Sequence, residues 1–272
     1  MDSGRLQIER IVSSLRTRRV GRRLELRDTT TSTNDDVLSR VESENIDGLV
    51  IFSEHQSAGR GRMGRTWEAP RGAGLLMSLL LIDVSKELRG GELCLLTAIA
   101  ACDAIKACTD INPSIKWPND LVVDGRKLGG ILIESRQRTD GLRAYAVGIG
   151  INCLQQRAHF AAELSARATS LEIESAHPVS REALAVSLLG ELDRWIAEPE
   201  SWGDDDLRRR WLAHAEPVGG RVCLRVGGRL HTGTVVDIDP SAALLVRLDA
   251  GGFRAFDVAN TTIGTPAPTT TT

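Results

Sequence analysis

The sequence predicts an α+β protein: a mixed, largely antiparallel sheet with helices on one side, followed by a small β-barrel. Two turn signals, Asp124-Gly125 and Asp140-Gly141, each separate apolar runs and so predict antiparallel hairpins. The alanine-rich run at residues 93–107 has the small side chains that let a helix pack closely on a sheet. After Pro217, short β-rich runs alternate with turns, which is typical of a small barrel.

The other elements follow from the same periodicities. Apolar residues recur at helical spacing from Ile8 to Leu15, and alternate with polar ones at Leu24 and Leu26. Thr33-Asn34 is a good helix start, because both residues cap helices well. Further strands are expected at 49–52, 75–82, 115–117, 121–123, 128–133 and 145–151, further helices at 182–196 and 206–214, and barrel strands at 222–226, 233–238, 244–248 and 253–258.

Changes in sequence pattern and composition divide the chain into three parts. Residues 1–214 are expected to form a catalytic domain, and residues 215–264 a small β-barrel domain. Residues 265–272 are a Thr/Pro tail of low complexity, which predicts disorder.

Composition narrows the function classes. The net charge of −2 over 272 residues argues against a general nucleic-acid binder. No apolar run reaches the roughly 18 residues that a membrane helix needs, and no apolar segment of a secretory signal follows Met1. The five cysteines are scattered, without a C-x-x-C, and are typical of buried thiols in a reducing compartment. We therefore expect a soluble cytoplasmic protein.

A long loop without periodicity covers residues 54–74, and its centre is the segment Gly59–Arg65, here called the Gly–Arg loop. The spacing of Gly59, Gly61 and Gly64 matches a dinucleotide-binding fingerprint, but no helix is expected to open after it. The chain also has no G-x-x-x-x-G-K-[ST], which excludes a P-loop. Both common nucleotide-binding loops are therefore excluded.

The Gly–Arg loop nevertheless has the chemistry of an anion site. Arginine forks bind carboxylate and phosphate bidentately, and glycine lets the backbone approach an anion closely. Trp67 adds a flat face for a purine or an apolar ring. The alternatives are a mobile solvent loop and an RGG-type RNA-binding tract, although such tracts are repeated in disordered chains.

Only four of the 34 basic residues are lysines, so a lysine within a motif is informative. One begins the run Lys116-Trp117-Pro118-Asn119-Asp120, which is also compatible with an ordinary exit from a strand. Another begins Lys127-Leu128-Gly129-Gly130-Ile131, where two strand glycines suggest close approach of a ligand. The alternative there is a β-bulge with Lys127 extended to solvent.

Together these motifs resemble those of the biotin protein ligases. The matching segments are Ser32-Thr33-Asn34, the Gly–Arg loop with Trp67, K-W-P-N-D, K-L-G-G-I-L and Gly150-Ile151-Asn152, in one order over roughly residues 28–172. The resemblance implies a class II synthetase-like catalytic domain followed by an SH3-like barrel. Met63 departs from the basic or polar residue expected in the loop, which leaves phosphate contact there open.

The resemblance also implies residue roles. Ser32, Thr33, Asn34 and Gln56 would hold the ureido ring of biotin, while Gly59, Arg60, Gly61 and Arg62 would close over biotin and the α-phosphate. Lys127 and the backbone of Gly130 would meet the biotin carboxylate. Arg65, Trp67, Asn119, Ile131 and Asn152 would form the ATP and adenylate site. Lys116 and Asp120 would lie by the phosphates, with Mg²⁺ near Asp120, and the catalytic set would be Lys127, Arg60, Arg62, Lys116 and Asp120.

The implied reaction makes biotinyl-5′-AMP from biotin and ATP and transfers biotin to a lysine of a biotin carboxyl carrier protein domain, that of acetyl-CoA carboxylase or a related acyl-CoA carboxylase. The alternatives are a lipoate or octanoate ligase of similar fold and a ligase that is also a DNA-binding repressor. A repressor needs a winged helix-turn-helix before Leu24, where only one helix is expected. We therefore expect no sequence-specific DNA binding, no membrane association, and a monomer or homodimer.

Overall fold

The computed structural model describes residues 4–82, 90–216, 219–239, 242–258 and 260–264. Its larger sheet has the strand order β1-β2-β3-β7-β6-β5-β4. The pair β1–β2 is parallel and the other described pairs are antiparallel, which confirms the mixed, largely antiparallel sheet. The strands are β1 Arg23–Arg27, β2 Leu49–Ser53, β3 Gly74–Ile82, β4 Ser114–Lys116, β5 Asp120–Val123, β6 Arg126–Gln137 and β7 Arg143–Asn152.

The long helices cover one face of this sheet, as the sequence predicts. The helices are α1 Ile8–Ser14, α2 Thr33–Leu38, α3 Gly90–Cys108, α4 Leu171–Glu174, α5 Arg181–Ile196 and α6 Asp204–His214. Side chains alternate along β2, so Val50 and Phe52 pack in the main core with α3 and α5. The intervening Ile51 faces the opposite side, where the short helix α2 packs Val37 against it. Both faces of the sheet centre are therefore buried.

The two predicted hairpin turns are present. Asp124 and Gly125 join β5 to β6 with φ of 48° and 72°, the left-handed pair that a two-residue hairpin turn of the primed type requires. Gly141, between β6 and β7, has φ of 88°. These hairpins align β5, β6 and β7 side by side. Gly130 of β6 lies directly opposite Gly150 of β7.

A separate five-stranded antiparallel sheet follows, with the order β11-β10-β9-β8-β12. Its strands are β8 Arg221–Val226, β9 Arg229–Ile238, β10 Leu244–Leu248, β11 Phe253–Phe256 and β12 Thr261–Ile263. The expected C-terminal β-unit is thus confirmed, while β12 and the short helix α4 were not expected. The division of the chain after residue 214 stays a prediction, and the tail 265–272 lies outside the described residues.

The second sheet is attached to the first by specific contacts. The indole Nε1 of Trp117 donates to the carbonyl of Ala242 at 3.1 Å. Arg208 of α6 binds Asp237 of β9 bidentately, donating from Nε to Oδ1 and from Nη2 to Oδ2. Within the described residues, no helix has the length and apolar character that crossing a bilayer requires.

Candidate active site

One cleft lies where the start of α2, the Gly–Arg loop, β6, β7 and β12 converge. It collects most of the predicted site residues, although they are widely separated in sequence. Those that line it are Ser32, Thr33, Asn34, Gln56, Arg60, Gly61, Arg62, Arg65, Trp67, Asn119, Asp120, Lys127, Gly130 and Ile131. Gly59, Lys116 and Asn152 do not line it.

The first end of the cleft is built by the start of α2. Ser32 occupies the N-cap position with an extended backbone, so the helix begins at Thr33. The backbone N–H and the hydroxyl of Thr33 both donate to Oε1 of Gln56, at 2.8 and 3.0 Å. The predicted ureido-binding residues are therefore joined to each other, and the amide nitrogen of Gln56 is left for a further partner.

Asn34 is held in one orientation by its neighbours. It is 3% exposed, and its amide nitrogen donates to Oε2 of Glu134 at 2.7 Å and to the carbonyl of Leu132 at 3.3 Å. Its Oδ1 accepts from the hydroxyl of the fully buried Ser78 at 2.6 Å. A Cβ on Gly148 would stand 2.4 Å from that Oδ1. Asn34 therefore needs a glycine opposite it, and most of its hydrogen-bonding capacity is satisfied within the protein.

The Gly–Arg loop is a small hairpin that folds back on itself. Arg60 pairs with Thr66 in antiparallel fashion, and the backbone of Trp67 donates to the carbonyl of Gly59 at 2.9 Å. A Cβ on Gly59 would meet the Trp67 carbonyl at 2.5 Å, so this buried glycine allows the close approach of the two arms. Met63 lies at the tip with left-handed φ of 57°, and its side chain is 63% exposed.

Arg62 connects this hairpin to the C-terminal sheet. Its guanidinium donates to the backbone carbonyls of Val258 and Thr261 and lies 3.4 Å from Oδ1 of Asn119. Burial lowers the pKa of Arg62. Thr262 and Ile263 of β12 line the cleft beside it. Sequence reasoning missed both residues, because a Thr-Thr-Ile run near the end of a chain carries no chemical signal.

Lys127 lies in the middle of the cleft. Its ammonium binds Oδ1 of Asp120 at 2.5 Å and lies 5.6 Å from the centre of the Trp67 ring. Its backbone is fixed by two hydrogen bonds, from its N–H to the carbonyl of Arg167 and from the N–H of Thr169 to its own carbonyl. Asp120 and Lys127 come from the neighbouring strands β5 and β6, so the hairpin at Asp124-Gly125 brings them together.

Trp67 forms the wall opposite Lys127. A Cβ on Gly150 would stand 2.7 Å from the indole, so the ring lies directly on the backbone of β7. The indole Nε1 is buried and has no hydrogen-bond partner in the part of the chain that the structure describes. A buried donor without a partner is costly, which is a feature of sites that take a ligand. The Gly148-x-Gly150 pattern is thus explained by two large neighbours, Asn34 and Trp67.

Asn119 lines the cleft beside Arg62. Its amide nitrogen donates to the carbonyl of Ile131 at 2.8 Å, and its carbonyl accepts from the backbone N–H of Ile131 at 3.0 Å. The Trp117–Pro118 peptide bond, one residue earlier in the chain, is cis. Asn152 does not line the cleft: its Nδ2 donates to the carbonyl of Thr169, and its Oδ1 accepts from Nε2 of Gln155. Lys116 ends the edge strand β4 outside the cleft.

The cysteines have no place in this chemistry. All five are free, and four of them are buried. Cys94 lies nearest to the site, with its thiol 3.5 Å from the carbonyl of Pro118, and burial raises its pKa to about 12. A thiol with so high a pKa is not a nucleophile near neutral pH. The predicted role as buried thiols holds for four of them, and Cys108 is half-buried.

Comparison with known proteins identifies a matching family model and several relatives of this chain. Residues 26–152 match the model of the Biotin/lipoate A/B protein ligase family. The biotin–[acetyl-CoA-carboxylase] ligase of Paracoccus denitrificans is 35% identical over 228 residues, covering 79% of this chain and 95% of that relative. The bifunctional ligase/repressor BirA of Bacillus spizizenii is 31% identical over 248 residues, covering 91% of this chain and 76% of that relative.

Solved structures agree in fold. The biotin protein ligase from Aquifex aeolicus in complex with biotin and ATP superposes with a TM-score of 0.75 at 24% identity, covering 89% of this chain and 99% of that one. The similarity to these relatives extends well beyond the region that the family model matches. The chain therefore belongs to the biotin protein ligases of the Biotin/lipoate A/B protein ligase family.

Proposed function

We propose that this protein is an ATP-dependent ligase that converts biotin to biotinyl-5′-AMP and then transfers biotin to a lysine of a biotin carboxyl carrier domain. The proposal is supported by relatives that are biotin–[acetyl-CoA-carboxylase] ligases. The single observation that carries it is the convergence of the Ser32–Asn34 segment, the Gly–Arg loop and Lys127 on one cleft. Three motifs with different chemistry meet there.

At one end of the cleft, Ser32, Thr33 and Gln56 would bind the ureido ring. A cyclic urea offers a carbonyl acceptor and two N–H donors, and the hydroxyls and the Gln56 amide supply both kinds of partner. Asn34 was expected to take part directly. Its contacts with Ser78 and Glu134 favour a supporting role, in which Asn34 fixes the shape of this end.

At the other end, cations would hold the reacting groups. A biotin carboxylate oxygen attacks the α-phosphorus of ATP, a P–O bond to pyrophosphate breaks, and a mixed anhydride with AMP forms. Lys127 and Arg62 would stabilise the negative charge that accumulates at phosphorus, because preorganised cations stabilise such a transition state strongly. In the second half-reaction the neutral amine of the acceptor lysine attacks the acyl carbon, AMP leaves, and the amine nitrogen loses a proton.

ATP chemistry of this kind implies Mg²⁺. Among the described residues, no group of three or more His, Cys, Asp or Glu side chains could hold a metal by itself. Asp120 is a cleft carboxylate, and Mg²⁺ commonly binds through one or two carboxylates together with substrate phosphates. The residues present therefore fit a magnesium ion that enters with ATP, with Asp120 near it, and that offsets the charge of the leaving pyrophosphate.

Trp67 and the Gly–Arg hairpin would protect the intermediate. A mixed anhydride hydrolyses readily, so the site must exclude water between the two half-reactions. The indole lies against the backbone of β7. Its Nε1 has no acceptor among the described residues, which favours a ligand oxygen as its hydrogen-bond partner. Gly59, whose buried backbone joins the two arms of the hairpin, would act through the shape of the loop.

Four finer points belong to the same proposal. The acceptor would be the carrier domain of acetyl-CoA carboxylase or a related acyl-CoA carboxylase, as the names of the relatives suggest. The ligase would act in the cytoplasm as a monomer or homodimer. We propose no operator binding, in line with the relatives that are named as biotin–[acetyl-CoA-carboxylase] ligases alone. A lipoate or octanoate ligase is the alternative, because the description of the family model names lipoate ligases as well as biotin ligases.

The test is biotin-dependent exchange of pyrophosphate into ATP, followed by mass spectrometry of an apo carrier domain. We expect exchange with biotin and a mass increase of one biotin on a single lysine. Exchange with lipoate or octanoate but not with biotin would establish the alternative. A sequence-specific shift of an operator fragment in a gel would refute the absence of DNA binding, and sedimentation would give the oligomeric state.

A further inference from the structure

Arg60 does not have the environment of a phosphate ligand. Its Nη1 and Nη2 each lie 2.7 Å from a carboxylate oxygen of Asp35. Its Nη2 also contacts both oxygens of Glu134, at 3.0 and 3.3 Å. One guanidinium thus lies between two carboxylates, a group of net charge −1. Such a group repels a phosphate oxygen.

The other cations of the cleft differ from Arg60. Arg62 contacts carbonyl and amide oxygens, and Arg65 has no carboxylate partner among the residues that the structure describes. Lys127 binds a single carboxylate, that of Asp120. Charge available to an anion is therefore concentrated at Arg62, Arg65 and Lys127.

Glu134 links Arg60 to the biotin end of the cleft. Its Oε2 accepts from Arg60 and, at 2.7 Å, from the amide nitrogen of Asn34. Asp35 follows Asn34 in α2, so both carboxylates tie the hairpin to the same helix start. The bidentate hydrogen bond from Arg60 holds the pKa of Asp35 below its usual range.

We propose that Asp35 and Glu134 are positioning residues. They hold Arg60 in a fixed orientation, and Arg60 in turn anchors the Gly–Arg loop over the biotin end of the cleft. Arg62, Arg65 and Lys127 bind the anions. This inference rests on the proposed function for its kinetic consequences, but the anchoring itself does not depend on it. It differs from the direct phosphate role that the sequence motif implies for Arg60. An isolated exposed ion pair contributes little, whereas a bidentate pair within a network is the geometry that does contribute.

The variants Asp35→Asn and Glu134→Gln remove one charge each and keep the side-chain shape. Glu134→Gln also keeps an oxygen for Asn34, so its effect reports on Arg60. Glu134→Asp retains the charge and is expected to recover part of the function. The matched control is Glu191→Gln, which breaks the Arg194–Glu191 pair on the surface of α5. Folding of each variant is checked by its thermal unfolding temperature.

The first measurement is limited trypsin cleavage of the protein without added ligand, with mass spectrometry of cuts after Arg60, Arg62 and Arg65. We expect cleavage there to be about three- to fivefold faster in Glu134→Gln and Asp35→Asn than in the wild type, the range for loss of one networked ion pair. Glu191→Gln should cleave like the wild type. Equal cleavage in all four proteins overturns the anchoring role, whatever the activity proves to be.

The second measurement is the KM for biotin and for ATP in pyrophosphate exchange. We expect the KM for biotin to rise about three- to fivefold in Glu134→Gln, with the KM for ATP and kcat within twofold of the wild type. A rise in the KM for ATP alone would mean that Arg60 serves the phosphates, and would overturn the proposal. If the wild type shows no biotin-dependent exchange, the proposed function fails and the cleavage result still decides the anchoring role.

Discussion

The ammonium of Lys127 lies between the carboxylate of Asp120, at 2.5 Å, and the ring of Trp67, whose centre is 5.6 Å away. The carboxylate fixes the direction of a flexible side chain, and the ring limits it from the other side. The cation is therefore placed in the cleft before chemistry begins. Three segments of the chain contribute to that placement, and two of them are joined by one tight hairpin turn.

Lys127→Ala removes this cation. We expect biotin-dependent pyrophosphate exchange to fall roughly 10- to 100-fold, because a charge-assisted contact contributes about 1.5–3 kcal/mol to the transition state. The matched control is Lys106→Ala, which changes an exposed lysine in the last turn of α3 and should leave exchange unchanged. A Lys127→Ala enzyme that forms biotinyl-adenylate at the wild-type rate would show that the assigned role is wrong.

Gly148→Ala should disturb Asn34. The added Cβ would stand 2.4 Å from Oδ1 of Asn34, closer than real Cβ contacts, so the amide must leave Ser78 or Glu134. We expect the KM for biotin to rise about tenfold, the effect of about 1.4 kcal/mol.

Gly190→Ala is its control. Apart from its chain neighbours and the backbone of its own helix, no atom of the described residues lies within 4 Å of the added Cβ, and α5 should gain about 0.5–1 kcal/mol in stability because alanine favours a helix. An unchanged KM for biotin in Gly148→Ala would show that Asn34 is not needed at that position.

Arg181→Met should be strongly destabilising. Arg181 and Glu54 form an ion pair at 2.9 Å with side-chain exposures of 4% and 3%, and the same guanidinium donates to the carbonyl of Gly74. Removing one partner leaves a buried charge, which costs about 3–5 kcal/mol.

Urea unfolding measures the loss. Arg194→Met removes the partner of Glu191 from a 65% exposed position and should cost under about 1 kcal/mol. The double variant Arg181→Met with Glu54→Leu should recover much of the lost stability, because no unpaired charge remains. Similar losses for Arg181→Met and Arg194→Met would contradict this view of the buried pair.

The contact between α6 and the second sheet should depend on pH. The hydrogen bonds from Arg208 lower the pKa of Asp237 below 3.8. A carboxylate with a lowered folded-state pKa adds stability above its unfolded pKa, and that stability is lost as the pH falls through the folded-state pKa. We expect Asp237→Asn to be less stable than the wild type at pH 7, with the difference disappearing below pH 3.8. A difference in urea midpoint that is constant from pH 7 to pH 3 would exclude this mechanism.

Local signals in the sequence were sufficient for most elements. The turn at Asp124-Gly125 was predictable because few residues other than Gly, Asn and Asp adopt left-handed backbone, and both residues do so here. The long helix α3 was predictable from its alanine content. The strand β12 was not, because three residues without alternation beside a turn look like any loop.

The sequence alone therefore determined the motifs, their order and the chemistry they carry, since residue type fixes charge and hydrogen-bonding capacity. Tertiary structure decided which of these residues meet. The strand order places β7 between β3 and β6, which brings Gly148 against Asn34, and it turns the Asn152 amide to Thr169. Tertiary structure also brings Thr262 of the second sheet to the cleft and places two carboxylates beside Arg60. Alternation along a strand fixes the face of a side chain, but the neighbour on that face depends on pairing between distant segments.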